Sequence, residues 1–203
     1  MSQPLLLIAT NNGHKLREYQ MLLSRVPVTL CSMHDLQMGD LPEETGETFE
    51  ANALLKARHC AQTVGLPSLA DDSGLEVDVL GGEPGVRSVR WAGPDATDAD
   101  RVRLLLDRMR EVRPAERTAR FVCVVAIVVP DGAAQVFRGA LEGCVAEAAK
   151  GSGGFGYDPI LYVPAQGRTV AQFAPAEKNE ISHRAVAVRA AMPYLRWLFP
   201  AQE

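Results

Sequence analysis

Two hydrophobic periods alternate along the chain. Continuous or alternating apolar runs predict strands at 5–9, 26–31, 68–70, 75–80, 119–129, 134–145 and 160–163. Between them the spacing turns helical. Leu16, Tyr19, Leu22 and Leu23 share one face of a helix over 15–23. Thr48 is placed to cap a second helix whose apolar stripe is Phe49, Ala53, Ala57, Cys60, Ala61 and Val64. Asn52, Lys56 and His59 form a polar stripe beside it, and Gly65 and Pro67 end it. A third helix over 98–112 turns Val102, Leu105, Leu106 and Met109 inward. A last one runs from a Ser182 cap toward Phe199, with a kink expected at Pro193. Pro130-Asp-Gly132 joins two long strands as an antiparallel hairpin. Strands alternating with helices predict an α/β fold, a mixed central β-sheet flanked by helices, in a single domain spanning 1–203.

Composition narrows the function classes. The 203 residues are 47% hydrophobic and 23% charged, with a net charge of −4. That balance suits a globular protein and argues against a general nucleic-acid binder, whose domain is usually basic. Cys31, Cys60, Cys123 and Cys144 lack zinc-type spacing and read as reduced, structural thiols. The N-terminus has no basic leader region and no apolar run reaches membrane length, so no membrane partner and a cytoplasmic location are expected.

The polar clusters carry the chemistry. Gly151-Ser-Gly-Gly-Phe-Gly-Tyr-Asp158 formally matches the dinucleotide fingerprint Gly-x-Gly-x-x-Gly. That fingerprint needs a helix straight after the loop, whereas Pro159-Ile-Leu-Tyr162 reads as a strand, so the match fails on context. What is left is a loop offering backbone amides, the Phe155 ring and Asp158 to something flat and polar, such as a purine base. Thr10-Asn-Asn-Gly-His-Lys15 lies at a strand-to-helix junction, where free N–H groups and the helix dipole favour an anion. Glu43-Glu44-Thr-Gly-Glu47 is an acidic loop. Asp71-Asp72-Ser73-Gly74 ends a strand, and because neighbours on a strand face opposite sides, one aspartate faces a given site. Glu43 and Asp72 could together hold Mg2+ through hard carboxylate oxygens. Lys178, His183 and Arg184 collect where the last helix begins, a poor place for cations unless an anionic or carbonyl-rich ligand is close. Taken singly, each cluster has an ordinary explanation: a capped turn, a solvated loop, an Asx turn, a surface histidine. No serine elbow and no zinc-type histidine pair is present, so the inventory favours metal-assisted attack by water over covalent catalysis.

Taken together, these segments closely resemble the inosine triphosphate pyrophosphatase family, the dITP/XTP pyrophosphatases. The matching pieces run in one order from Thr10-Asn-Asn-Gly-His-Lys15 through Glu43-Glu-Thr-Gly46, Thr48-Phe49-Glu50, Asn52-Ala53, Lys56-Ala57, Ala70-Asp-Asp-Ser-Gly-Leu75 and Leu80-Gly-Gly-Glu-Pro-Gly85. They continue with Gly153-Gly-Phe-Gly-Tyr-Asp-Pro159, Glu177-Lys178 and Ile181-Ser-His-Arg184. The resemblance implies an elongated, two-lobed homodimer subunit with a cleft between lobes. It implies Mg2+-dependent hydrolysis of ITP, dITP or XTP to the monophosphate and pyrophosphate, which cleanses the nucleotide pool. By position, Thr10, Asn11, Asn12, Gly13, His14, Lys15, Lys56 and Ser73 would bind substrate at the phosphate end. Asp72 would be the catalytic group that orients or deprotonates water, with Glu43 and Asp72 on the metal and the adjacent Glu44 as the alternative to Glu43. Phe155, Gly156, Tyr157, Asp158, Lys178, His183 and Arg184 would hold the base. Many relatives have Gly or His between Thr and Asn where this chain has Asn11.

The base edge supplies a reason for selectivity. Hypoxanthine and xanthine carry a 6-oxo acceptor and an N1–H donor, and adenine reverses both. Donors near O6 with an acceptor at N1–H would reject adenine by about 10⁴ or more, because buried groups would be left unpaired. Two other readings compete: a nucleotide-binding regulatory module without turnover, and a phosphoesterase of another specificity. The acidic pair Glu43 and Asp72 separates the first, since a pure polyanion binder has little use for it.

Overall fold

The computed structural model describes residues 3–201; the first two residues, read above for a leader, lie outside them. Seven strands and five α-helices follow in the order β1 Leu5–Ile8, α1 Gly13–Leu22, β2 Thr29–Ser32, α2 Phe49–Val64, β3 Ser68–Val77, α3 Asp98–Arg108, β4 Thr118–Val128, β5 Ala134–Val145, β6 Leu161–Val163, β7 Arg168–Thr169, α4 Pro175–Ile181 and α5 His183–Leu198. The strands form one mixed sheet in the order β2-β1-β3-β4-β5-β6-β7. β1 runs parallel to β2 and β3, while β6 is antiparallel to β5 and β7.

The chain packs as two compact units. The first comprises Met1–Asp72, Cys123–Gly139 and Arg184–Glu203. Its core joins Leu6 and Ile8 of β1 to Tyr19, Leu69, Val125 and Leu195, all buried. β1 is fully apolar because both its neighbours are parallel strands, the pattern of a strand covered on both faces. α1 begins two residues before the position expected from periodicity. The Asn12 side chain accepts the His14 and Lys15 amides at 2.9 and 3.2 Å, and this cap starts the helix at Gly13. α2 is capped as expected by Thr48, whose hydroxyl accepts the Ala51 amide, and it ends on Gly65 at φ +65°.

The second unit comprises Ser73–Val122 and Ala140–His183. Its core gathers Leu75, Leu105, Met109, Phe121, Tyr157, Ile160 and Leu161. α3 opens on a capping box between Thr97 and Asp100. The buried Arg117 guanidinium donates to the Met109, Val145 and Ala146 carbonyls, tying the end of α3 to the end of β5.

Two elements differ from the pattern reading. Asp71-Asp72-Ser73-Gly74 is not a turn between short strands but the middle of one ten-residue strand, β3. Nothing there needs a turn, because both carboxylates find buried partners while the backbone stays extended. The final helical region is also two helices. Ser182 stands immediately before α5 as expected of its N-cap, in extended geometry, and also closes α4 with its amide on the Lys178 carbonyl. Lys178 therefore sits in the last turn of α4, where the dipole favours a cation. Pro193 lies inside α5.

Candidate active site

Two groups of side chains stand out, one in each unit. In the first unit, β3 and α2 place them by periodicity. Asp71 and Asp72 point to opposite faces of β3, as the strand demands. Asp71 is 2% exposed, with Lys15 at 3.0 Å and Arg184 at 3.1 Å. Arg184 is fully buried and also pairs with Glu18 of α1. Burial pushes the Asp71 carboxyl up, but Lys15, Arg184 and Lys56 outweigh it and hold it well below the usual carboxylate range. The Cys123 thiol lies 3.6 Å from the same carboxylate, and burial beside that charge keeps the thiol protonated.

Asp72 behaves in the opposite way. Burial raises its pKa, Lys56 lowers it, Glu44 raises it again, and the net shift is upward. Its Oδ2 accepts the Asn52 amide at 3.0 Å. The other end of that carboxamide accepts the Gly46 amide at 2.8 Å, so one buried Asn52 fixes both the aspartate and the acidic loop. A Cβ on Gly46 would meet Asn52 Oδ1 at 2.6 Å, which is why glycine stands there. The loop brings Glu44 to Lys56 at 2.5 Å. Glu43 is exposed. Lys56 is buried, and the surrounding carboxylates outweigh that burial and raise its pKa.

The Thr10–Lys15 junction is more self-contained than its sequence suggests. Thr10 Oγ1 accepts the Asn12 amide, and Asn12 takes the next two. Two N–H groups expected to be open at this helix start are thus already bonded. Asn11 and His14 are exposed, and His14 Nδ1 faces the Arg17 guanidinium at 3.0 Å. Gly13 is the first residue of α1, and Lys15 reaches inward to Asp71. Ser73 follows Asp72 on β3, half-buried.

In the second unit the glycine loop surrounds a buried ion pair. Asp158 Oδ2 accepts the Phe155 amide at 2.9 Å and the Lys178 ammonium at 2.7 Å. The same ammonium lies 4.7 Å from the centre of the Phe155 ring. Gly156 donates to Asp98 at 2.7 Å, and Gly153 donates to the Ala171 carbonyl at 3.0 Å. Gly154, at φ +74°, admits no side chain, because a Cβ would run into Asp158. The loop amides at 153, 155 and 156 thus stabilise the loop itself. This corrects the expectation that they would be offered to a ligand. Tyr157 is buried, with its hydroxyl on the Ser88 carbonyl. His183 is 5% exposed, its ring 4.9 Å from that of Phe121.

The structure therefore brings Lys15, Lys56 and Asp72 into one network with Arg184, which the sequence had assigned to the base. It collects Phe155, Asp158 and Lys178 in another. Glu18, Asn52 and Asp71 were missed as site residues, whereas Glu44 was the alternative to Glu43 for the metal. The i, i+4 spacing of Asn52 and Lys56 beside an apolar stripe was the available signal for Asn52. Among the described residues, no three His, Cys, Asp or Glu side chains converge as metal ligands.

Fold and site define the class: a mixed-sheet α/β protein carrying a buried lysine–carboxylate network and a braced glycine loop. The chain belongs to the Ham1 family, whose model matches residues 6–194. It is 54% identical to the dITP/XTP pyrophosphatase of Symbiobacterium thermophilum over 93% of each chain, and 50% identical to that of Thermus thermophilus over 91% of this chain and 88% of the relative. The solved HAM1 protein from Coxiella burnetii superposes with a TM-score of 0.86 at 41% identity, covering 98% of this chain and all of its own. These relatives bear out the family resemblance and the α/β mixed-sheet class.

Proposed function

We propose that the protein is a nucleoside-triphosphate pyrophosphohydrolase that converts dITP, XTP and ITP to the monophosphate and pyrophosphate. The observation that carries this reading is Asp72. It is a buried carboxylate with a raised pKa, oriented by Asn52 and placed in the field of both Lys56 and Glu44. Such a group is more basic than an ordinary carboxylate and is placed to take a proton from water. The family supplies the substrate class through relatives named dITP/XTP pyrophosphatase.

Charge supports a divalent cation. Lys15, Lys56 and Arg184 face Glu18, Glu44, Asp71 and Asp72, so the network carries an excess of negative charge when all are ionised. A triphosphate would be repelled by that excess unless a cation accompanied it. Hard carboxylate oxygens suit Mg2+, which often takes one or two carboxylates and completes its shell with phosphate oxygens and water. The geometry favours Asp72 with Glu44 as that pair, since Glu44 acts on Asp72 while Glu43 is exposed. When bound, Mg2+ would offset charge developing on the α-phosphate and the departing pyrophosphate.

The side chains then divide the work. Asp72 orients water and accepts its proton. Lys15 and Lys56 stabilise the phosphate charges, with Thr10, Asn12 and Ser73 as further polar groups at that end. Asp71, Glu18 and Arg184 hold Lys15 in place. Phe155 offers a stacking face to the base, and Lys178 and His183 offer donors to a 6-oxo group. Selection for that group would keep hypoxanthine and xanthine nucleotides out of DNA and RNA. No helix among the described residues is long and apolar enough to cross a membrane. A homodimer at work in the cytoplasm, with no nucleic-acid partner, completes the proposal.

A panel of nucleoside triphosphates with Mg2+, followed for both pyrophosphate and orthophosphate, tests it. We expect pyrophosphate release from dITP, ITP and XTP, little from dATP, and none without the metal. Orthophosphate as the sole product would rule out attack at the α-phosphate. Equal rates on ATP and ITP would rule out selection by the base.

A further inference from the structure

We infer that Asp98, the first residue of α3, is a specificity-determining positioning residue that sets the base-reading loop through the Gly156 amide. The inference rests on the proposed function for what that loop reads.

A segment with glycine at 151, 153, 154 and 156 has a large conformational entropy to lose before Phe155 can present one face. Two carboxylates oppose that loss at adjacent positions. Asp158, inside the loop, holds the Phe155 amide. Asp98, some sixty positions earlier in the chain, holds the Gly156 amide at 2.7 Å, a charge-assisted bond. Gly156 sits at φ +62°, so its N–H direction is available to few other residues. A third tie comes from the same neighbourhood, where the Tyr157 hydroxyl donates to the Ser88 carbonyl at 3.0 Å.

Asp98 is itself braced. Arg101, one turn along α3, pairs with its other oxygen. The same guanidinium donates to the Val89 carbonyl at 2.8 Å and the Ala96 carbonyl at 2.6 Å. Arg101 therefore gathers the 88–98 segment, and that segment grips residues 156 and 157 of the loop. The helix start does not need Asp98 for its cap, because Thr97 and Asp100 already close the capping box. An acidic residue in the first turn gains a little from the dipole, but the dipole does not require its carboxylate to reach Gly156.

Replacing the side chain by the methyl group of alanine removes the loop contact. It leaves the capping box and the two carbonyl bonds of Arg101. Asparagine keeps one acceptor oxygen for the Gly156 amide but turns an NH2 group toward Arg101. We expect Asp98→Ala to lower the ratio of kcat/KM for dITP over dATP by about tenfold or more, mainly through KM for dITP, since misplacing a recognition group by about 1 Å can cost a hundredfold. Asp98→Asn should fall between wild type and alanine, since it keeps the loop contact but loses the Arg101 brace. Hydrogen exchange should speed up across 151–158 in the alanine variant while α3 stays protected.

An alanine variant that keeps the wild-type ratio overturns the inference, as does an asparagine variant that loses as much as alanine. Faster exchange throughout α3 would assign Asp98 to helix stability instead. A wild-type enzyme that prefers no base would count against the proposed function, and the exchange experiment would still report whether Asp98 holds the loop.

Discussion

The charged network of the first unit and the braced loop of the second solve the same problem by different means. Both bury ionised groups, and both must hold them still. In the first, regular elements do the holding. Asp71 and Asp72 are consecutive residues on β3, Asn52 and Lys56 are one turn apart on α2, and Lys15 and Glu18 are on α1. Each charge has several partners: Asp71 alone faces Lys15, Arg184 and the Cys123 thiol. In the second, a glycine-rich loop has little intrinsic order, and one ion pair, Lys178 with Asp158, stands at its centre. The difference suits the two tasks. Phosphate chemistry needs charges fixed to within a fraction of an ångström, whereas a base must be admitted, read and released.

The largest effect should come from the group that touches the reaction. Asp72→Asn keeps the shape and the acceptor that Asn52 addresses, but it removes the proton acceptor. We expect turnover of dITP to fall by about 10² to 10⁴, the range for loss of a positioned general base. Nucleotide should still bind, and calorimetric titration alongside the pyrophosphate assay checks both halves. Near-normal turnover would remove Asp72 from the chemistry.

Next in size is a direct test of redundancy. Lys178→Met leaves the buried Asp158 carboxylate without its ammonium partner and should cost about 3–5 kcal/mol. Lys15→Met removes one of two cations from Asp71 and should cost less, because Arg184 remains. Paired urea titrations would show the contrast. Adding Asp158→Asn to Lys178→Met should recover part of the loss, since asparagine can still accept the Phe155 amide. Equal costs at Lys15 and Lys178 would mean that the two regions do not differ as described.

The same contrast governs what the sequence could disclose. Periodicity placed the long helices and the hairpin strands β4 and β5, though it broke β3 in two, and the alternation rule separated Asp71 from Asp72. Side chains on regular elements inherit their directions from the period. Loops have no such rule. The glycine loop looked like an open nest of amides, and only the structure shows Asp98 and Asp158 occupying them. The Asp98 bond joins residues 58 positions apart, a separation that local pattern cannot reveal. Arg184 shows the limit within a motif. Its neighbour His183 lies among second-unit residues beside Phe121, while Arg184 turns to Glu18 and Asp71 in the first. Adjacent residues at a helix start point about 100° apart, so one motif can serve both regions.

The smallest effect separates two adjacent glutamates in the acidic loop. Glu44 is turned toward Lys56, and its charge raises the pKa of Asp72, whereas Glu43 is exposed. If Glu44 shares the cation with Asp72, Glu44→Gln should raise the Mg2+ concentration needed for half-maximal activity by about 10- to 100-fold, the usual scale for a perturbed metal site. Glu43→Gln should change it little. Glutamine at 44 can still accept from Lys56, so the loop should keep its place and the effect should appear in the metal titration more than in KM for dITP. The opposite ranking would restore Glu43 as the ligand. It would also mean that the loop, tied to α2 by Gly46 and Asn52, turns over when nucleotide and metal bind. In that case the first unit would be less rigid than its network of partners implies, and the contrast between the two regions would narrow.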